Sequence, residues 1–334
     1  SARTLTLTSG TFDAVTYNVT TGLFTNSATT NTTKMGSGTW TLSSAGFVWN
    51  FSIVPTIIAG TSTIVLSDTS TTARTFAGGG LYYNKLTIGG TTGTSTTAIT
   101  GASTFGELAS TKTVAHTITF QSTLTTTIGK WSVTGTAGNV VTVGPGTPTT
   151  TYTLVIAGPA NSGIDYLSVS YCAVSTTSPG EFYVGANSTN TAGNTGAIIF
   201  TATPAARTLY WVGGTGNWSS TTKWSTSSGG GSGAAIPTSL DAVNFDSASN
   251  ATAYTATIDA GVTIARCASF TMAGPAAGNV TFAGTFPIAF HGNVNFAATG
   301  ITRTYTGGMN LTGNSSYTFT TNGVTLASAI EVNG

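Results

Sequence analysis

Charged side chains are scarce in this 334-residue sequence. Asp, Glu, Lys and Arg make up 6% of the residues, whereas they make up roughly 25% of an ordinary globular protein. The ten Lys and Arg residues stand singly, and the formal net charge is +1. Because nucleic-acid binding requires a cluster of cations that neutralises phosphates, no nucleic-acid partner is expected. No apolar run approaches the roughly 18 residues of a membrane-spanning helix, so no membrane insertion is expected either.

Cysteine and histidine are almost as rare, with two of each. We predict that Cys172 and Cys267 are small buried residues in separate cores, without a disulfide. His116 and His291 have no neighbouring Cys or second His, so a transition-metal site or a Ser-His-Asp triad would need partners brought together by folding. No Gly-x-Ser-x-Gly nucleophile elbow is set between a strand and a helix. The sequence therefore predicts no catalytic residue and no enzymatic activity.

Thr, Ser, Gly, Ala and Asn take the place of the charged residues and indicate an all-β fold. Thr, Ser, Asn and Gly are weak helix formers, whereas Thr, Val, Ile and the aromatic residues suit strands. The 43 glycines, together with Asn and Ser, separate short apolar runs as turns between strands do. Disorder is the competing interpretation, but 40% of the residues are hydrophobic and 10% are aromatic, which is more than a disordered chain carries.

Two patterns locate strands. One is a strict alternation early in the chain, which predicts a half-buried strand with four residues on its buried face: Phe47, Trp49, Phe51 and Ile53. The other is a series of apolar strand centres at intervals of 12 to 15 residues late in the chain, which Phe319 and Ile330 continue: Phe245, Ile258, Phe270, Phe282, Val294 and Met309.

Strands at this spacing fit two all-β architectures. We favour a β-solenoid of stacked coils, because the strands are short and uniform and because Thr and Asn recur where stacked side chains can form hydrogen bonds between coils. The scarcity of charge also suits stacked coils, since like charges in register would repel at every rung. Tandem β-sandwich domains are the alternative.

The chain is predicted to form two units. A first β-rich unit covers residues 1–204, and a second covers residues 205–334 and opens with a Trp-rich cap over residues 210–246. Pro204, in the linker at 203–206, cannot donate a ladder hydrogen bond and so helps to end the first sheet. The sequence begins at Ser1 rather than Met, so we expect a processed protein or a segment of a longer one, with the second unit continuing beyond Gly334.

Short motifs rich in glycine and aromatic residues occur in both units. In the first they are Thr-Phe-Ala-Gly-Gly-Gly at 75–80, Leu-Thr-Ile-Gly-Gly at 86–90, Ile-Asp-Tyr-Leu-Ser at 164–168 and Gly-Ala-Asn-Ser-Thr-Asn at 185–190. In the second they are Trp-Val-Gly-Gly at 211–214, Asn-Trp at 217–218, Trp-Ser at 224–225, Pro237, and the stretch from Asp241 to Asp246.

These motifs, which cover about half of the chain, resemble a pattern found in large repetitive surface proteins of bacteria and in tail-fibre or other virion-surface proteins of bacteriophages. The second set resembles the repeat openings of autotransporter-type and other secreted β-solenoid proteins. The resemblance implies an extracellular or virion-exposed stalk, fibre or adhesin, and it specifies no chemistry.

Aromatic residues of the Trp-rich cap are the first candidate binding site. Tyr210, Trp211, Trp218 and Trp224 could form a flat platform on which a sugar stacks. They could equally cover the open end of a solenoid, where an apolar rung would otherwise face water, and we favour this covering role.

Acidic residues near the cap are the second candidate. Asp241, Asp246 and Asp259 form the only loose group of carboxylates among nine acidic residues. Coiling could bring them together as ligands of Ca²⁺, which takes six to eight oxygens, or as the acid and base of a polysaccharide-degrading enzyme. The favoured interpretation is that they cap turns through backbone N–H groups, with no cofactor bound.

The expected function is that of a non-enzymatic structural fibre or surface protein, exposed on a virion or a cell, whose stiff β scaffold mediates assembly or attachment. The alternatives are a glycan-binding adhesin and a polysaccharide-degrading enzyme. The expected partners are further copies of the chain or other fibre, virion or surface proteins, together with cell-surface glycans.

Overall fold

The computed structural model describes residues 3–90, 92–312, 316–326 and 328–332, which form short β-strands joined by turns. The chain divides into two compact units. Unit 1 comprises Ser1–Ile156, Asn161–Ser175 and Phe182–Thr203, and unit 2 comprises Ala157–Ala160, Thr176–Glu181 and Pro204–Gly334. The main division lies at the predicted linker, and unit 2 also includes two short earlier segments. The predicted continuation past Gly334 lies outside the described residues.

Unit 1 contains strands of two to eight residues. In chain order they are β1 (Thr4–Leu7), β2 (Thr11–Asp13), β3 (Val19–Thr21), β4 (Leu23–Asn26), β5 (Thr32–Lys34), β6 (Thr39–Leu42), β7 (Gly46–Asn50), β8 (Thr56–Ile58), β9 (Thr63–Leu66), β10 (Arg74–Ala77), β11 (Tyr82–Ile88) and β12 (Thr96–Thr100). They continue with β13 (Thr104–Ser110), β14 (His116–Phe120), β15 (Thr125–Ser132), β16 (Val141–Pro145), β17 (Tyr152–Ile156), β18 (Leu167–Ser170), β19 (Cys172–Val174), β20 (Phe182–Tyr183), β21 (Thr189–Ala192), β22 (Thr195–Gly196) and β23 (Ile198–Ile199).

Parallel pairing between successive coils builds unit 1. One nine-stranded sheet, here called sheet A, has the order β1-β4-β7-β10-β12-β14-β16-β18-β21, and a second, sheet C, has the order β22-β19-β17-β15-β13-β11-β9-β6-β3. Smaller sheets, β2-β5-β8 and β20-β23, complete some of the coils. Because each strand pairs in parallel with a strand about one coil away in sequence, the unit is a β-solenoid, whereas the sheets of a β-sandwich are antiparallel.

Unit 2 is built in the same way. Its strands are β24 (Thr208–Trp211), β25 (Gly216–Asn217), β26 (Trp224–Ser225), β27 (Ala242–Phe245), β28 (Tyr254–Ile258), β29 (Ala265–Cys267), β30 (Ser269–Met272), β31 (Val280–Gly284), β32 (Ile288–Phe290), β33 (Val294–Phe296), β34 (Ile301–Arg303), β35 (Met309–Leu311), β36 (Phe319–Thr320) and β37 (Ile330–Val332), with a 3₁₀ turn at Thr221–Lys223. They form sheets ordered β26-β24-β27-β30-β33-β36, β25-β28-β31-β34 and β29-β32-β35-β37.

The intervals of about 12 residues prove to be half-coils. Phe270 pairs with Val243 in the coil before it and with Val294 in the coil after it. Phe282, between Phe270 and Val294 in the chain, pairs instead with Ala256 in another sheet. The predicted centres all lie in strands, but neighbouring centres along most of the series belong to different sheets, and a full coil is roughly twice the spacing read from the sequence.

A β-bulge corrects the predicted alternation in β7. The register between β7 and β10 shifts between Thr75 and Phe76, so that Val48 opposes no partner and both Val48 and Trp49 are buried. As a result Phe47 is 50% exposed and Ile53 is 42% exposed, although both were predicted on the buried face. A bulge reverses the inside and outside alternation because it inserts one extra residue into a strand.

Aromatic rings and hydroxyl groups lie on opposite faces of sheet A. Phe24, Trp49 and Phe76 occupy successive rungs, with ring centroids 4.9 Å apart for the first pair and 5.8 Å for the second. A row of small hydroxyl side chains runs along the other face, through Thr96, Thr117, Thr142, Ser168 and Thr189. Stacked aromatic rings stabilise the core of each rung, while the hydroxyl row keeps the exposed face polar without charge.

The two cysteines occupy the cores as predicted. Cys172 is buried in unit 1 and Cys267 in unit 2, and both are free thiols. Burial raises the pKa of the Cys172 thiol to about 12, so this group is a neutral thiol at neutral pH.

Arg266 and His291 hold the segment Thr176–Glu181 within unit 2. Arg266 Nε donates to the Pro179 carbonyl at 2.8 Å, and its Nη2 donates to the Ser178 carbonyl at 2.7 Å. His291 Nε2 lies 3.0 Å from the Pro179 carbonyl oxygen, which fixes the proton on this nitrogen in the neutral ring. The backbone of this segment thus receives three side-chain hydrogen bonds at two carbonyls.

Candidate functional site

The tryptophans of the cap are packed into the core of unit 2. Trp211, Trp218 and Trp224 are all buried. Trp211 and Trp218 each meet Trp224 edge to face, with centroid distances of 5.2 and 4.8 Å. Phe245 stacks on Trp211 at 5.3 Å. These three indoles therefore present no open face to a ligand, and Tyr210 is the one partly exposed ring of the four predicted residues.

Hydrogen bonds lock this aromatic group to the turns around it. The indole N–H of Trp211 donates to the Gly214 carbonyl, and that of Trp224 to the Trp218 carbonyl, each at 2.8 Å. Strand β26 pairs antiparallel with β24, so that Trp224 lies opposite Trp211. The arrangement is a packed cluster at one edge of the six-stranded sheet, as a covering role requires.

Asp241 is the most constrained of the three predicted carboxylates. It is fully buried and forms an ion pair with Arg207, whose Nη2 lies 2.6 Å from Oδ2. The backbone N–H groups of Arg207 and Thr238 donate to it at 2.9 and 2.8 Å. Burial alone would raise the pKa of this carboxyl, but the hydrogen bonds from Arg207 and Thr238 outweigh burial and hold the pKa below its ordinary value.

The other two carboxylates serve separate turns. Asp246 Oδ1 accepts from the Ala248 N–H at 2.9 Å, and Asp259 accepts from the Ser219 and Gly261 N–H groups at 3.0 Å each. Across the described ranges of the chain, no group of three or more His, Cys, Asp or Glu side chains is placed to hold a metal ion. The structure therefore does not bring Asp241, Asp246 and Asp259 together as a Ca²⁺ site.

Sheet C of unit 1 carries a row of charges that sequence reasoning missed. Lys85, Glu107 and Lys130 are register partners on β11, β13 and β15. The Lys85 ammonium lies 3.0 Å from Glu107 Oε2, and the Lys130 ammonium lies 3.5 Å from Oε1. Burial would raise the pKa of Glu107, but hydrogen bonds from Ser132 and Lys85 and the charges of both lysines lower it below the usual range.

The sequence contained a signal for this row. The three residues are 22 and 23 residues apart, which matches one coil of unit 1. Charges that alternate in sign at the coil period are expected to stack as attractive pairs, as cross-strand pairs do in any sheet. The coil period was not known from the sequence, so the row could not be recognised there.

An exposed tyrosine and a recess accompany the charged row. Tyr82 is 48% exposed, whereas its neighbour Tyr83 is buried, as alternation along a strand predicts for adjacent residues. A Cβ atom placed on Gly106 would lie 3.1 Å from the Tyr82 hydroxyl, so the phenol lies over this glycine, next to Glu107. A recess of about 380 Å³ adjoins the far end of the row and is lined by Lys130, Trp131, Ser132, Thr134 and residues 161–164.

This outer surface, defined by Tyr82, Lys85, Glu107, Lys130 and the recess, is here called the charged face. It combines an exposed aromatic ring with charged and hydroxyl groups on rigid strands, and it can therefore donate and accept hydrogen bonds around a polar ligand. Over the part of the chain that the structure describes, no helix is both long and apolar enough to cross a membrane.

Comparison with known proteins adds no relative: no family model, no curated protein and no solved structure matches this chain.

Proposed function

We propose that this protein is a non-enzymatic structural scaffold, exposed on the surface of a cell or a virion, whose stacked coils mediate assembly or attachment. The observation that carries the proposal is the unbroken parallel pairing of nine strands in each main sheet of unit 1. Eight intervals of about 4.8 Å make each sheet roughly 38 Å long in the stacking direction.

The physical basis is resistance to deformation. Each coil is bonded to the next through several backbone hydrogen bonds at once, and a continuous row of buried rings runs beneath them. Because a packed interior has no free volume to absorb bending, such a stack is stiff for its mass. A polar surface with few charges also keeps the scaffold hydrated without strong repulsion between neighbouring copies.

Immunogold electron microscopy tests the surface location. Antibodies raised against the purified chain are applied to intact cells or virions that produce it, and to the same samples after permeabilisation. We expect gold particles on the intact outer surface at a density similar to that of the permeabilised sample. Label that appears only after permeabilisation would contradict the proposal.

A glycan-binding adhesin is the second candidate, because the charged face places an open aromatic ring beside hydrogen-bonding groups. Tyr82 can stack on the C–H face of a sugar ring, and Glu107, Lys85 and Lys130 can bind its hydroxyls. The strands β11, β13 and β15 hold these groups on a rigid support, which lowers the entropic cost of binding.

A glycan array with two tyrosine variants tests this second candidate. Tyr82→Ala is expected to lower binding at least about tenfold, the loss of one well-packed aromatic contact. Tyr17→Ala is the matched control, because Tyr17 is 75% exposed and lies in unit 1 outside the charged face. An array without signal for the wild-type protein, or equal losses in both variants, would argue against glycan binding at this face.

A further inference from the structure

Three turns of unit 1 stack at one corner, where the chain passes from sheet C to sheet A. They connect β9 to β10, β11 to β12 and β13 to β14. A Cβ atom on Gly90 would lie 2.0 Å from the Asp68 carbonyl oxygen, which shows how closely the first two turns approach. We name the group of Asp68, Arg74, Lys112 and His116 at these turns the cationic corner.

Arg74 is the central residue of the cationic corner. Its side chain is fully buried, and its Nη2 donates to the Asp68 carbonyl at 2.6 Å and lies 3.3 Å from the Asp68 carboxylate. Its Nε and Nη1 groups are also buried, and they have no hydrogen-bond partner within the described part of the chain. The same holds for the buried hydroxyl of Thr97, which is the register partner of Arg74 on β12.

Lys112 adds a second buried cation. Its ammonium group donates to the Gly93 carbonyl and to Ser95 Oγ, the latter at 3.4 Å. Burial lowers the pKa of this ammonium, and the charge of Arg74 lowers it further, while Asp68 acts in the opposite direction. The two cations are therefore close enough to repel each other.

His116 contributes no negative charge to balance them. Its Nδ1–H donates to the Val114 carbonyl at 2.8 Å, and its Nε2 accepts from the Ser110 hydroxyl at 2.9 Å, so both nitrogens are occupied in the neutral ring. Burial lowers the pKa of His116, and the charges of Lys112 and Arg74 add to the effect. At neutral pH the corner thus contains two cations and one carboxylate, an excess of one positive charge.

We propose that the cationic corner binds one small monovalent anion of the chloride class, held by Arg74 Nε and Nη1 and the Thr97 hydroxyl. Every unpartnered atom there can donate a hydrogen bond, so only an acceptor satisfies them, and buried polar groups are nearly always satisfied. The single excess charge selects a monovalent ion. The full burial of the donors selects a small one. The anion would tie three successive coils together, a role additional to that of the scaffold itself.

Anomalous diffraction from crystals of the full chain grown in sodium bromide locates the ion directly. We expect a bromide peak within hydrogen-bonding reach of Arg74 Nε and Nη1. Density without anomalous signal at that position identifies a water molecule and overturns the proposal. Bromide at exposed cations alone represents an adventitious ion only and overturns it as well.

Thermal unfolding in two salts tests the site in solution. Sodium chloride is titrated against sodium gluconate, a bulky anion, at constant ionic strength. For the wild-type chain we expect the melting temperature to rise with chloride and then to saturate. Equal melting temperatures in both salts would overturn the proposal, because a neutral Lys112 amine or a buried water would then account for the corner.

Three variants assign the effect to the corner. Lys112→Met keeps the length of the side chain and removes its charge, and Thr97→Val removes one hydroxyl while keeping the shape. Each is expected to weaken the apparent chloride affinity roughly tenfold or more, because a donor or a charge is lost. Lys34→Met is the matched control, since Lys34 is exposed and pairs with Asp13 away from the corner. Chloride dependence that stays at the wild-type level in Thr97→Val and in any folded Lys112→Met overturns the proposal.

Discussion

Asp241 shows how one buried carboxylate can organise several turns of unit 2. It accepts hydrogen bonds from Arg207 and from the backbone and side chain of Thr238. Removing its charge leaves the partly buried guanidinium without a counter-charge, and breaking a buried pair in this way costs about 3 kcal/mol or more. Since Arg207 is partly exposed, we expect Asp241→Asn to lower the stability of unit 2 by about 2–3 kcal/mol.

The measurement is hydrogen exchange by mass spectrometry of the full chain, which reports on the peptides of unit 2 separately from those of unit 1. Asp246→Asn is the matched control, since Asn retains the acceptor that Ala248 needs at an exposed turn, and it is expected to cost less than about 0.5 kcal/mol. Similar losses in the two variants would show that Asp241 only caps a turn.

His291 makes unit 2 sensitive to acid. Burial lowers its pKa to about 4, the charge of Arg266 lowers it too, and the hydrogen bond to Pro179 acts in the opposite direction. The unfolded chain takes up a proton near pH 6.5, whereas the folded chain does so only near pH 4. This contribution to stability is therefore complete above pH 6.5 and is lost as the pH falls to about 4, at up to about 1.4 kcal/mol per pH unit.

His291→Gln is expected to flatten this loss, since an amide does not titrate in this range and can still donate to Pro179. Samples equilibrated in urea at each pH are pulse-labelled at one fixed pH, and the protection of unit 2 peptides is read out. His116→Gln, in unit 1, is the control and should leave the pH profile of unit 2 unchanged. A His291→Gln profile that matches the wild type would mean that other groups cause the acid sensitivity.

At the scale of the strand and turn, glycines allow the coils to stack closely. Gly36 has a φ of 67°, and a Cβ atom there would lie 1.7 Å from the Val15 carbonyl oxygen of the preceding coil. Gly36→Ala therefore forces the turns of two coils apart as well as straining its own backbone. We expect a loss of about 3 kcal/mol or more in unit 1, measured by hydrogen exchange.

Gly138→Ala separates the two causes. Gly138 also has a positive φ, 80°, but nothing lies within 4 Å of the position that its Cβ would take. This variant should cost only the backbone strain, about 1–2 kcal/mol. Equal costs at the two positions would show that contact between coils at Gly36 is unimportant.

Local patterns predicted the strands better than they predicted the sheets. The apolar centres Phe270 and Phe282 identify two strands, but nothing local states that the strands belong to different sheets. β29 and β32 were missed because each has only three residues and includes alanine, so neither resembles an apolar strand centre. The exposed Phe47 was misplaced because a bulge depends on the neighbouring strand as well as on its own sequence.

The sites depend on the coil period and were therefore the least predictable part. Lys85 and Glu107 are distant in sequence, and only the stacking of β11 on β13 makes them a pair. Arg74 and Lys112 likewise come from turns of different coils. The tryptophans of the cap were visible because they are close in sequence, but closeness in sequence does not distinguish an open platform from a packed cluster.

At the scale of the whole molecule, the repeating unit is a full coil, and deletions can test this. Removing residues 270–293 joins Ser269 to Val294, which takes the place of its register partner Phe270, and it leaves β28 to pair with β34 and β29 with β35. We expect a folded, shorter protein with its remaining strands protected in hydrogen exchange, because stability in stacked repeats is approximately a sum over neighbours. Removing residues 270–281 is the matched control: it preserves the apolar spacing but places Phe282, from the sheet of β28, in the sheet of β27 and β30. If the half-coil deletion folds as well as the full-coil deletion, the 12-residue spacing, and not the coil, is the unit of this architecture.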